Sequence, residues 1–262
     1  KGGLRAFCGA LRAIRREGFA QAAVLHTDWR KSLACKLAGI PRLYGFKQKK
    51  SGALLSQSAQ QPSQNEHLLD TYRRLAETIC GRQIPKLSCR LELKAKHLEF
   101  LKTLESKHPK PWFALHPSAG NEKSSWPPEQ FAQLAERILG GFPKHTLWLT
   151  GSPAEAPRLE KTFGRLRAQY PEKLLYSWRE TTGLWQTLAV IAGAEFFAGN
   201  DSGPLHAACA FGVPALELIE ERKITQFAAR GQTTPHIVSR KTLAALSPEE
   251  VWTEFLNSHN GR

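Results

Sequence analysis

Short apolar runs of three to six residues alternate with longer amphipathic segments along most of this chain. That alternation constrains the fold more than any other feature. A run so short and so uniformly apolar is buried on both faces as a strand of a parallel sheet, and the amphipathic segments supply the crossovers that parallel strands need. Strands are expected at 22–26, 42–46, 112–116, 146–150, 174–176, 195–198 and 214–219. Helices are expected at 4–16, 30–37, 66–80, 95–107, 129–139, 154–169, 184–191, 204–211 and 248–257. Residues 47–64 are polar with Gly and Pro and read as a flexible loop. The Pro-bounded HPKP at 108–111 marks a boundary between domains at 1–108 and 109–262. The fold class is therefore α/β, with mostly parallel sheets and ligands expected beyond the carboxyl ends of the strands.

Composition narrows the function classes. Hydrophobic residues make up 41% of the 262, enough for a packed core and against intrinsic disorder. No apolar run is long enough to cross a bilayer, and the opening residues do not read as a secretory signal. Five cysteines without C-x-x-C spacing argue against a disulfide framework or zinc ribbon; they suit a reducing cytoplasm and read as small buried hydrophobes. No metal site and no cofactor are expected. Residues 1–110 carry 22 Lys and Arg against 8 Asp and Glu, whereas residues 111–262 carry 15 against 15. The net charge of +14 thus comes entirely from the first segment, which favours an anionic partner. No nucleic-acid-binding module accompanies the charge, so nucleic acid is not the expected partner.

Three strand-end stretches carry candidate chemistry. In HPSAGNEKSSWP (116–127), small residues let a phosphate approach backbone N–H groups, and Lys123 offers a mobile cation. An ordinary βα loop with a surface Lys explains it equally well. In TGSPAE (150–155), Glu155 could accept from ribose hydroxyls or simply favour a helix start. In AGNDSGPLH (198–206), Asp201 and Ser202 stand where N-caps belong. The same helix start could face a diphosphate, with His206 on its first turn. A buried His satisfied by backbone is the plain alternative for His206.

The order of these stretches on one βα array, with NDSGPLH the most specific, resembles glycosyltransferase family 9, the ADP-heptose:lipopolysaccharide heptosyltransferases. AVLHTDWRKSLACKLAGIPRLYGF (23–46), NEHLLDTY (65–72) and LAALSPEEVW (243–252) are also similar to that family. The resemblance implies a GT-B fold of two Rossmann-like domains, the first binding acceptor and the second nucleotide sugar. It also implies that the N-terminal domain is incomplete here, starting about 60 residues late. The absence of Met and a first residue Lys agree with that.

By the same resemblance, Ser118 contacts the diphosphate, Lys123 neutralises it, and Glu155 holds the ribose or adenine end. Asp201 contacts the donor sugar, while Ser202, Gly203 and His206 line the phosphate site. The implied reaction is an inverting, metal-independent transfer of heptose from ADP-heptose to the inner core of lipopolysaccharide. Its base would be a carboxylate in a segment upstream of this chain, so no residue here is assigned as catalytic and the fragment alone is expected to be inactive. The anionic acceptor would meet Arg30, Lys31, Arg42, Lys47, Lys49 and Lys50, on a cytoplasmic protein touching the inner membrane peripherally. Two departures matter: Ala119 stands where many members have a hydroxyl, and Glu217-Leu-Ile-Glu-Glu221 replaces the usual Gly-Pro-Thr turn. These keep open a GT-B enzyme for another nucleotide sugar, such as a UDP- or GDP-sugar, or a non-catalytic nucleotide-sugar-binding remnant.

Overall fold

The computed structural model describes residues 4–47, 52–86, 88–120, 125–181 and 183–260. They form two compact units, Lys1–Leu87 and Ser88–Arg262.

The first unit carries three parallel strands, β1 (Gln21–Val24), β2 (Arg42–Phe46) and β3 (Gln57–Ala59), in that spatial order. Helices α1 (Leu4–Arg16), α2 (Trp29–Leu37) and α3 (Leu68–Cys80) accompany them. Asp28 starts α2 by accepting from the Arg30 N–H, the expected work of an Asp at an N-cap. Tyr44 and Phe46 of β2 pack with Ala59 and with Leu75 of α3. Strand β3 lies inside the segment expected to be a flexible loop. Gln57-Ser58-Ala59 has no apolar run to announce it, and is a strand because Tyr44, Gly45 and Phe46 offer it a ladder. That is a tertiary cause which no local pattern displays.

The second unit has six parallel strands in the order β6-β5-β4-β7-β8-β9. They are β4 (Trp112–His116), β5 (Thr146–Leu149), β6 (Leu174–Tyr176), β7 (Phe196–Asn200), β8 (Ala215–Glu220) and β9 (His236–Arg240). Helices α4 (Ala95–Lys107), α5 (Pro128–Gly141), α6 (Ala156–Gln169), α7 (Ser177–Glu180), α8 (Leu184–Gly193), α9 (Gly203–Phe211), α10 (Ile224–Phe227) and α11 (Pro248–Asn260) complete it. Alternation along the strands divides the core. Phe113 and Leu115 face one cluster with Phe131 and Leu134 of α5, Leu159 of α6 and Phe255 of α11. Trp112 and Ala114 face the other, with Leu101 of α4, Val190 of α8 and Leu205 of α9. Both faces are therefore covered, as an all-parallel sheet requires.

The boundary between units falls at 87/88, not at 108/109. Leu101 and Leu104 of α4 pack with Trp112, Ala189 and Val190, and the Leu91 N–H donates to the Ala210 carbonyl. The helix before HPKP thus contributes core to the second unit, and the prolines form an internal turn of that unit. Strand β9 was not expected; its HIVSR sequence has only two apolar residues, and it occupies the sheet edge with its outer positions exposed. The run from Glu217 to Glu220, which stands where the resemblance calls for a Gly-Pro-Thr turn, lies within β8. Of the five cysteines only Cys209 is buried; Cys80 and Cys89 are exposed, and Cys8 and Cys35 half-buried. No helix among the described residues is long and apolar enough to cross a membrane.

Candidate functional site

Strand order decides where a ligand can sit. After β4 the chain first moves outward through β5 to β6, then returns to place β7 on the other side of β4. The loops leaving β4 and β7 run in opposite directions from this switch point and leave a crevice at the strands' carboxyl ends. His116 ends β4 opposite Gly199 of β7, and Asn200 is the last residue of β7.

The loop after β4 is pinned on both sides of the crevice. Ser118 is 1% exposed. Its hydroxyl receives Arg158 Nη2 at 3.4 Å and is hydrogen-bonded to Glu155. Trp126 is wholly buried; its backbone N–H donates to Asn200 Oδ1 at 2.8 Å and its indole N–H to the Leu246 carbonyl at 3.0 Å. Lys123 lies outside the described residues, as do Lys49 and Lys50.

The loop after β5 is closed by Glu155, whose Oε2 accepts from the Ser152 N–H (2.8 Å) and hydroxyl (2.6 Å). Burial opposes ionisation of Glu155, but the hydrogen bonds from Ser152 and Ser118 outweigh it and hold the carboxyl below its ordinary range. Glu155 is thus ionised and ties the first loop to the second. Below it, Nδ1 of His116 lies 2.9 Å from the Thr150 carbonyl, which can only accept, so Nδ1 carries the proton. Burial pushes the His116 pKa down, leaving the ring neutral and Nε2 an acceptor. Gly151 sits in tight packing, since a Cβ there would lie 2.9 Å from Leu159 Cδ1 and 3.2 Å from the Trp178 ring.

A cavity of about 440 Å³ opens beside these loops. Residues 150–153 and Glu155, with Trp178, Thr181, Leu184, His116 and Pro204, line it. The lining is mainly apolar, and the volume falls in the range of small-ligand sites. Trp178 is aimed by its indole N–H on Glu160 (2.9 Å) and by stacking on Tyr176 (4.7 Å between centroids).

The third loop begins α9, and here the two expected caps behave otherwise. Ser202 occupies the N-cap position with extended backbone, but its side chain does not cap the helix. Its hydroxyl oxygen is buried without a partner, as is the amide nitrogen of Asn200. Asp201 instead pairs with His206 at 3.3 Å. An uncapped helix start beside two orphaned polar atoms is unusual in a native fold, where buried polar groups are nearly all satisfied. A helix start left open in this way favours an anion. His206 is half-exposed rather than a backbone-satisfied core residue, and its hydrogen bond to Asp201 raises its pKa, favouring the imidazolium.

Glu217 lies under this helix start and was not singled out as a site residue. It is fully buried and accepts from the Ala229 N–H at 3.0 Å. Burial, reinforced by Asp201, pushes its pKa up to about 7. The same burial, with Glu217 nearby, pushes the Cys209 thiol up to about 12, so it is no nucleophile. Glu217 could not be recognised from sequence, since one Glu inside an apolar strand gives no sign of which helix covers it.

The basic candidates of the first unit separate. Arg30 and Lys31 stand in the first turn of α2 and Lys47 just after β2, all at the carboxyl end of the small sheet, whereas Arg42 begins β2 at the other end. All four are exposed, and Arg30 is ion-paired with Asp28 at 3.0 Å.

Comparison with known proteins gives a consistent picture. The family model for glycosyltransferase family 9 (heptosyltransferase) matches residues 9–245. Among solved structures, the chain is similar to E. coli ADP-heptose LPS heptosyltransferase II, at 18% identity and TM-score 0.77 over 98% of this chain and 82% of that one. It is similar to a family 9 glycosyl transferase from Veillonella parvula, at 17% identity and TM-score 0.78 over 100% and 81%. It is also similar to an E. coli heptosyltransferase solved with ADP, at 14% identity and TM-score 0.71 over 98% and 79%. No curated protein matches.

Proposed function

The chain belongs to glycosyltransferase family 9, of the heptosyltransferase type with a GT-B fold, and we propose that its second unit binds ADP-heptose for transfer to an anionic lipopolysaccharide core. The observation that carries this reading is the uncapped start of α9, with the buried hydroxyl of Ser202 unpartnered, at the switch point beside a cavity of about 440 Å³. In this proposal the diphosphate lies at Ser202 and Gly203 with His206 and Lys123 as its cations, and Asp201 faces the donor sugar. Ribose and adenine enter the cavity against Trp178. Glu155 bounds the ribose end, and Ser118 acts mainly by holding Glu155 and Arg158 in place.

Transfer then proceeds by inversion. The acceptor oxygen attacks the anomeric carbon and loses its proton to a carboxylate. The bond from that carbon to the diphosphate breaks, and ADP leaves with the electron pair. Helix N–H groups and the two cations stabilise the charge that develops on the leaving oxygen. No residue of the chain is assigned as the base. Arg30, Lys31 and Lys47 are proposed to meet the anionic acceptor, at the cytoplasmic face of the inner membrane.

Calorimetric titration with ADP, UDP and GDP tests the donor. ADP is expected to bind at least about tenfold more tightly than the others, a difference of about 1.4 kcal/mol. H206A removes a charge-assisted hydrogen bond and is expected to weaken ADP about ten- to a hundredfold. Equal affinity for the three nucleotides, or ADP binding untouched by H206A, would end the proposal. A second reading is supported by Glu217-Leu-Ile-Glu-Glu221, where the resemblance calls for Gly-Pro-Thr. On that reading the sugar or base differs, and UDP or GDP would bind best.

Gly151 offers a more local check. G151A forces Leu159 and Trp178 to shift, at a cost of about 1–3 kcal/mol shared between packing and ligand affinity. Weaker ADP binding with an intact circular dichroism spectrum is expected. Unchanged affinity would place the nucleotide away from Trp178.

A further inference from the structure

At the amino-terminal edge of the six-stranded sheet, opposite the strand ends that carry the crevice, three side chains distant in sequence meet. His145 immediately precedes β5, Glu195 immediately precedes β7, and His259 lies in the last turn of α11. Nε2 of His145 is 3.2 Å from Oε2 of Glu195, and Nε2 of His259 is 3.1 Å from Oε1. A ligand atom from each lies within 4.8 Å of the other two. We propose that His145, Glu195 and His259 form a zinc site that staples the end of α11 to the sheet.

The donor set is the one zinc takes, two imidazole nitrogens and a carboxylate, leaving a fourth position for water. With zinc–ligand bonds of about 2.0–2.2 Å, neighbouring ligands of a tetrahedral ion stand about 3.4 Å apart. The nitrogen–oxygen separations of 3.2 and 3.1 Å, one to each oxygen of the carboxylate, are within about 0.3 Å of that, and one ligand atom from each of the three groups lies within 4.8 Å of the others. Rotation of the exposed carboxylate, with small movements of the rings, brings the three ligand atoms around one ion.

Aromatic packing orients both rings before any metal arrives. Phe113 stacks on His145 with centroids 4.1 Å apart and meets His259 at 5.3 Å. Phe142 meets the two rings edge to face at 5.3 and 5.2 Å. With Nδ1 of His259 turned to Asn260 Oδ1 at 3.4 Å, Nε2 is the nitrogen left for the metal. The imidazoles are largely shielded, 14% and 15% exposed, while Glu195 at 43% opens the cluster to solvent.

The test uses the full chain without a histidine tag, stripped with EDTA and titrated with Zn²⁺ by calorimetry. One zinc per chain is expected, with a raised melting temperature, and Co²⁺ in its place should give the intense visible bands of a low-coordinate site. H145A and H259A should each weaken zinc more than about tenfold. H236A removes a histidine whose partner is Glu254, outside the cluster, and should leave binding unchanged. Should an alanine variant lose its fold, E195Q, which keeps the side-chain volume and both rings, decides by the same tenfold criterion. Absence of stoichiometric zinc uptake, or uptake that survives loss of both histidines, overturns the proposal.

Discussion

Replacing Glu217 by Gln should stabilise the protein by about 3 kcal/mol at pH 8 and hardly at all at pH 4.5. Glu217 is buried in β8, and its pKa rises from an ordinary 4.5 to about 7 on folding, chiefly through desolvation. A group whose folded pKa lies above its unfolded value contributes fully below the unfolded value, and that contribution is lost as pH rises through the folded one. For Glu217 the window is pH 4.5 to 7, and the loss amounts to about 1.4 kcal/mol for each pH unit of separation. Gln keeps an oxygen for the Ala229 N–H and carries no charge to desolvate. Urea denaturation of both proteins at pH 5 and pH 8 gives the comparison. A gain of equal size at both values would mean that packing, not ionisation, is responsible. No gain at pH 8 would mean that the carboxylate is solvated in a way its burial does not allow.

The substitution also bears on the site. The hydrogen bond to Asp201 raises the pKa of His206, and the charge of Glu217 adds to the rise. In E217Q the imidazolium should persist to a lower pH limit than before. If the diphosphate binds at His206, ADP affinity should therefore begin to fall at lower pH in E217Q than in the parent chain.

Trp126 to Ala should cost more than any other single change considered. The indole is wholly buried, meets Phe131 at 4.7 Å between centroids, and donates to Leu246. Truncating a buried aromatic costs about 3–5 kcal/mol, and the Leu246 carbonyl loses its donor as well. The effect should reach the crevice, because the Trp126 backbone N–H anchors the β4 loop to Asn200. W126F retains most of the apolar contact and loses the indole bond, so a cost nearer 1 kcal/mol is expected. A loss below about 1 kcal/mol for W126A in urea denaturation would show that the loop is held elsewhere.

Most of the helices and the buried strands were legible because each displays its burial locally. Trp112 to His116 is apolar throughout, and the helix over 95–107 was bounded to the residue. The loops at 118, 150–155 and 200–206 could be placed at strand ends for the same reason. Their resemblance to a heptosyltransferase family agrees with the family match across 9–245. Roles within the loops were less legible. Glu155 and Asp201 are common helix-start residues, and only their partners, Ser152 and Ser118 for one and His206 for the other, separate a cap from a tether.

Periodicity along the chain was enough to determine the α/β class, the parallel strands and the helices that cover them, because burial on one or two faces leaves its mark every two or every 3.6 residues. Only the tertiary structure decided that β4 and β7 are neighbours, that α4 belongs with the second unit, that β3 and β9 are strands, and that Glu217 lies beneath α9. It alone brought His145, Glu195 and His259 together. Each of these depends on contacts between residues far apart in sequence, and such contacts leave no periodic trace in the segments they join.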